Sequence, residues 1–155
     1  MDLTHLLRSC PLFSDLDERD LDALRQITVC CEYRKGQFVF TEGSPSRGVH
    51  VVVAGTVKIF LTGQLDAGGG SSFVNPSAVP ANLQFSSSYA GKDGVKLSGG
   101  SSAYLSVYAP RTSVELTGGA PVFGALLGKT LVISGGAAVH YDVQMVTVWA
   151  PYFTP

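Results

Sequence analysis

The sequence predicts a mainly β chain, with short N-terminal helices and a few strands leading into a small β-solenoid of stacked strands and glycine-rich corners. Three observations carry this prediction. First, Val95-Lys96-Leu97-Ser98-Gly99-Gly100 returns as Val114-Glu115-Leu116-Thr117-Gly118-Gly119 and as Leu131-Val132-Ile133-Ser134-Gly135-Gly136, with glycine pairs 19 and then 17 residues apart. Second, each pair precedes another short apolar run: Ala103-Tyr104-Leu105, Val122-Phe123-Gly124 and Val139-His140-Tyr141. A strand, a glycine corner and a second strand at a nearly fixed period mark a solenoid, because each unit needs a neighbour to bury its apolar face. Third, composition changes near residue 60: residues 1–60 hold 15 of the 23 charged residues but 4 of the 18 glycines. Two segments of different architecture follow from that shift.

Within each repeat the alternation has period two. Val95 and Leu97, Val114 and Leu116, and Leu131 and Ile133 are expected inward, with Lys96 and Glu115 outward. Stacked coils would bring equivalent residues about 4.7–4.9 Å apart. Ala103, Val122 and Val139 then form an inward ladder, and Tyr104, Phe123 and His140 a ladder on the opposite face. The Ser/Thr-Gly-Gly corners suit tight turns, since glycine reaches φ > 0 without a Cβ clash. The period shortens by two where Pro110-Arg111-Thr112-Ser113 becomes Lys129-Thr130, in an expected turn. An antiparallel meander with glycine-rich hairpins fits the same alternation, but the near-constant period favours the solenoid.

Earlier in the chain, Thr4 to Ser9 reads as a short helix. Asp17 reads as the N-cap of a second helix, with Glu18 and Asp20 in its first turn and Leu21, Leu24 and Ile27 as its apolar stripe. Strands are expected over 29–34, 37–41, with Phe38 and Phe40 on one face, 49–54 and 56–61. The stretch 64–72 is a linker or a loop between coils, 75–82 a loop, and 143–149 one more strand. The segments are therefore 1–60; 61–94, a Gly/Ser/Pro-containing loop and first coil; 95–142, the repeats; and 143–155, a cap or tail.

Two resemblances accompany this reading. Pro11-Leu12-Phe13, Leu16, Leu21, Leu24, Tyr33-Arg34-Lys35-Gly36-Gln37-Phe38-Val39-Phe40, Glu42-Gly43 and Val51-Val52-Val53-Ala54-Gly55-Thr56-Val57-Lys58-Ile59 are similar to the start of a Crp/Fnr-type cyclic nucleotide-binding domain. That resemblance covers residues 3–60 and implies a helical lead-in and a partial β-roll. The family holds its cyclic phosphate with a Gly-Glu turn and an arginine, where backbone N–H groups and a guanidinium meet the anion. Neither follows here. Phe123-Gly124-Ala125-Leu126-Leu127 resembles that cassette superficially but lacks the Glu and a following Arg. From about Val57 to Asp142, the pieces Val74-Asn75-Pro76, Pro80-Ala81-Asn82-Leu83-Gln84-Phe85, Val107-Tyr108-Ala109-Pro110, Phe123-Gly124-Ala125, Gly128-Lys129 and Val139-His140-Tyr141-Asp142 resemble the β-solenoid domain of bacterial surface and type IV pilus assembly-type proteins. This resemblance implies a stacked β domain, associated with an envelope or pilus, without catalysis.

Functional expectations are correspondingly narrow. Net charge is −1, which supplies no basic field for nucleic acid. No apolar run reaches the roughly 20 residues of a membrane span. Met1-Asp2-Leu3 opens without a basic region and apolar core, so the sequence predicts no signal peptide and, as written, a cytoplasmic chain, whereas the solenoid resemblance points to the surface. Cys10, Cys30 and Cys31 are expected to be reduced and mostly buried. His5, His50 and His140 have no ligand-like spacing, so no metal site is expected. His140 and Asp142 share a strand face without a placed nucleophile. No catalytic, cofactor-binding or metal residue is assigned, and no cofactor is expected. The expected interaction stripe is Tyr104, Phe123 and His140, which either takes flat groups from a surface partner or packs beneath a loop. The partner itself is not identified; a protein or surface partner and self-association through the open solenoid end are both expected. The competing reading is a degenerate Crp/Fnr-like regulatory protein.

Overall fold

The structure, a computed structural model, describes residues 3–10, 13–39, 41, 51–68, 73–99, 102–119 and 121–149. The chain divides into two compact units, 1–53 and 54–155. Phe40, the turn expected at 42–45, His50, the start of the strand expected at 49–54 and the glycines at 69 and 70 lie outside the described residues.

In the first unit, α1 spans Leu3–Ser9 and α2 spans Glu18–Ile27. Asp17 caps α2: its carboxylate accepts the Asp20 N–H at 2.9 Å, satisfying one of the orphan donors of the first turn. Leu7, Cys10 and Leu21 are buried. An exposed Arg8–Glu18 pair links the two helices, and exposure keeps its contribution small. Ile27 departs from the expected stripe: it is 75% exposed, because the last turn of α2 runs past the contact with α1. Asp17→Ala is expected to destabilise α2 by about 1 kcal/mol, seen as faster amide exchange in its first turn.

The strands expected over 29–34 and 37–41 do not form in the described residues, and 51–53 are likewise irregular. The partial β-roll is therefore absent from the described part of 1–53. Val29, Phe38, Val52 and Val53 are exposed, so these apolar runs have no partner strand to complete a ladder. Cys30 and Cys31 are exposed as well, leaving Cys10 as the buried thiol.

The second unit is a seven-stranded sheet: β1 (Val57–Leu61), β2 (Leu65–Ala67), β3 (Leu83–Ser87), β4 (Val95–Gly99), β5 (Ala103–Gly118), β6 (Pro121–Ile133) and β7 (Ala138–Tyr141). All its pairings are parallel, which rules out the antiparallel meander. The order is β1-β3-β5-β4-β2, with β6 against β5 and β7 against β6. The long strands serve two rows. In the first row, β1, β3, the leading halves of β5 and β6, and β7 pair in succession. In the second row, β2, β4 and the trailing halves of β5 and β6 do so. Between rows the register shifts at Ala109/Ser113, where Pro110-Arg111-Thr112 stand opposite Lys129 alone. This is the two-residue difference between the repeats.

Inward side chains of both rows form one cluster. It includes Phe85, Leu105, Val107 and Val122 from the first row with Val95, Leu97, Val114 and Leu116 from the second. Phe73 returns from the 68–79 excursion to meet Phe85 edge-on, centroids 5.0 Å apart. Thr112 is buried at the bend of β5, where its hydroxyl donates to the Gly91 carbonyl at 2.6 Å and ties down the 88–94 loop.

Two expectations need correction. Leu97, Leu116 and Ile133 are in register on parallel strands, but Ile133 is 45% exposed and Leu131 46%. They end the second row, and no strand follows to cover them among the described residues. The strand expected at 143–149 is instead a helix, α3 (Met145–Trp149). Asp142 starts it: its side chain accepts the Gln144 N–H at 2.9 Å and its carbonyl the Met145 N–H at 2.9 Å. Met145 is then fully buried against Ala125. The segment folds onto the outward face of the first row, where the small Ala125 and Ala81 leave room for it. No helix among the described residues is long and apolar enough to cross a membrane.

Candidate functional site

Parallel, in-register pairing converts a sequence column into a spatial one. Tyr104 on β5 is the register partner of Phe123 on β6, which is the partner of His140 on β7. Since rungs are separated by about 4.7–4.9 Å, rings in one column must meet at stacking distance. Tyr104 and Phe123 centroids lie 4.8 Å apart with planes at 13°, and Phe123 and His140 lie 4.7 Å apart at 15°. Such pairs contribute roughly 0.5–1.5 kcal/mol each beyond their buried area. Tyr104 and Phe123 are half-buried and His140 is exposed.

This geometry changes what the stripe can bind. Each inner ring has its faces covered by its neighbours, so the row offers ring edges along its length. The open face is that of His140, on the last rung. A flat group can add there as a fourth ring but cannot lie along the row.

At the other end the column continues in polar residues that the sequence reading had taken as a plain loop. Asn82 follows Tyr104's position into the 3-10 turn Pro80–Asn82. Its side-chain oxygen is 3.4 Å from the donating Thr56 hydroxyl, and its amide donates to Ser77 Oγ at 3.0 Å. Asn75 Nδ2 donates to the Val79 carbonyl at 2.8 Å and to the Tyr104 carbonyl at 2.9 Å, while Ser77 Oγ donates to Asn75 Oδ1 at 2.6 Å. The loop thus clasps the backbone at Tyr104 and makes that end structural. The signal for it was present: Asn75-Pro76-Ser77 is a composition that turns on itself through side-chain bonds.

The remaining candidates are placed as follows. Phe123-Gly124-Ala125-Leu126-Leu127 lies within β6, paired along β5. A phosphate cradle needs free N–H groups at a turn or helix start, whereas Gly124 packs against the Leu105 carbonyl oxygen. His140 and Asp142 lie at the end of β7, where Asp142 is engaged with the Gln144 N–H. Among the described residues no three His, Cys, Asp or Glu side chains converge as metal ligands. Lys58, Phe60, Gln84, Ser86, Ser106 and Tyr108 line a shallow depression on the outward face of the first row, a feature the repeat pattern did not reveal because β1 and β3 lie outside the strict repeat.

A family model described as "Domain of unknown function (DUF7305)" matches residues 36–148. No curated protein matches the chain, and no solved structure does.

Proposed function

The chain belongs to the family described as a domain of unknown function (DUF7305), and from that premise we propose that residues 54–155 form a β-solenoid serving as a non-enzymatic interaction module. Its setting would be an envelope or pilus surface. The single observation that carries this reading is the aromatic column ending on an open rung: His140 is stacked on one face and exposed on the last strand. The core supports it by holding the rings rigidly, so that a partner's side chain is met by a pre-ordered surface and little ordering entropy is lost on docking. Beside the column, β7 adds an open strand edge, and such edges pair readily with an extended segment of another chain. A partner with an extended segment carrying a flat side chain fits both features. Residues 1–53 would be an attached segment without a nucleotide cradle.

The test is a panel of extended peptides with alternating apolar residues and one aromatic, measured against the whole chain by fluorescence anisotropy. Binding is expected to weaken by about tenfold in His140→Ala, the loss of one well-packed ring contact. Phe60→Ser, which removes an exposed aromatic on the first rung, should leave it unchanged. Cyclic AMP should give no heat of binding. Micromolar binding of that nucleotide, abolished by a change at Gly124, would reverse the reading in favour of a regulatory protein.

A further inference from the structure

We infer that the open end is an interface between two copies of this chain, in which β7 of each pairs antiparallel with the trailing half of β6 of the other. This deepens the interaction-module reading by naming the partner as a second copy.

The two rows end at different heights. The first row is five strands deep and finishes on β7, whereas the second is four deep and finishes on Thr130–Ile133. The end of the unit is therefore a step, with one extra strand beside one vacant strand position. A step is self-complementary under a two-fold axis that lies along the strand direction and exchanges the rows. The extra strand of each copy enters the vacant position of the other, and both strand edges close at once. A head-to-tail arrangement does not achieve this, because β1 of an incoming copy would meet β7 while the second row stayed open.

Backbone polarity agrees. Ser134 N–H donates to the Leu116 carbonyl, so by strand alternation Val132 also faces β5 and the polar groups of Leu131 and Ile133 face the open edge. Asp142 N–H donates to the Gly124 carbonyl, so His140 faces β6 and the groups of Val139 and Tyr141 face outward from the sheet edge. Each edge thus offers two residues spaced by two, the spacing at which antiparallel strands exchange paired hydrogen bonds. Leu131 falls opposite Tyr141 of the second copy and Ile133 opposite its Val139.

Side-chain direction agrees independently. Leu131 and Ile133 continue the inward columns of Val114 and Leu116, which are 0% and 3% exposed. Val139 continues the column of Val122, and Tyr141 that of Gly124. All four edge-facing residues therefore point into the core, and the pairing would bury the apolar surface that Leu131, Ile133 and Tyr141 now expose. On the outward side, Val132 of one copy falls across from His140 of the other and covers its open ring face.

The experiment measures the whole chain by analytical ultracentrifugation across concentration, with amide exchange read at Leu131 and Ile133. A dimer that forms as concentration rises, with protection appearing at those two amides in step, is the expected result. Ile133→Lys should weaken dimerisation by about a hundredfold, since it buries an unpaired charge twice in a symmetric interface. Phe60→Ser, at the opposite end, should not. A monomer at every concentration, open-ended assemblies that keep growing, or protection of Leu131 and Ile133 within a monomer would each overturn the inference. The first and last of these leave the peptide-binding test standing, so the two readings fail separately.

Discussion

Leu116→Asp is expected to unfold residues 54–155. Leu116 is 3% exposed and stands in the second row between Leu97 and Ile133 in register. Its column is wholly apolar, so the carboxylate would have no partner. An uncompensated buried charge costs roughly 3–5 kcal/mol, and the lost leucine packing adds about 2–5 kcal/mol. Domains of this size are stable by about 5–15 kcal/mol, so the combined loss takes most or all of the margin. Circular dichroism should show loss of the β signal and of the cooperative melt. Lys96→Asp, outward on the neighbouring strand, should change stability by about 0.5 kcal/mol or less. A folded Leu116→Asp variant with an unchanged melt would mean that the two rows do not share one core.

Gly124→Val is the second large effect. Gly124 has φ 142° and a Cβ there would strike the Leu105 carbonyl oxygen, with Pro80 Cβ also 3.0 Å away. Leu105 is the register partner of Gly124, so the obstruction is backbone held in the ladder and cannot swing aside. A glycine-favouring conformation costs a substituted residue about 1–3 kcal/mol, and forced overpacking costs about 1–3 kcal/mol more. Gly136→Ala separates the two terms. Gly136 also has positive φ, at 83°, but a Cβ there meets nothing within 4 Å, so it should lose only the conformational part. Urea titration of both variants gives the comparison, and equal losses would show that the close approach to Leu105 carries no weight.

Much of the repeat half was legible because a parallel ladder turns sequence period into register. The offsets of 19 and 17 residues between glycine pairs are the offsets of Val95 to Val114 and Val114 to Leu131. The aromatic column was legible for the same reason, since equal spacing along the chain places Tyr104, Phe123 and His140 on successive rungs. The Asp17 cap could be read from local chemistry alone.

What only the tertiary structure decided lies where the period fails or where packing outweighs local preference. β1 and β3 pair across an offset of 26 residues and β3 and β5 across 22, because long excursions separate them, so no repeat announces these rungs. The β-rich runs at 29–34 and 37–39 remain irregular, as a strand needs a partner edge as well as a suitable composition. Val143 to Trp149 alternates no worse than a strand, yet Met145 finds its burial on Ala125 from a helix. Periodicity also cannot say where a stack stops. Ile133 has the same sequence environment as Leu97 and Leu116, and it is exposed because burial in a ladder depends on the next rung, which the second row lacks.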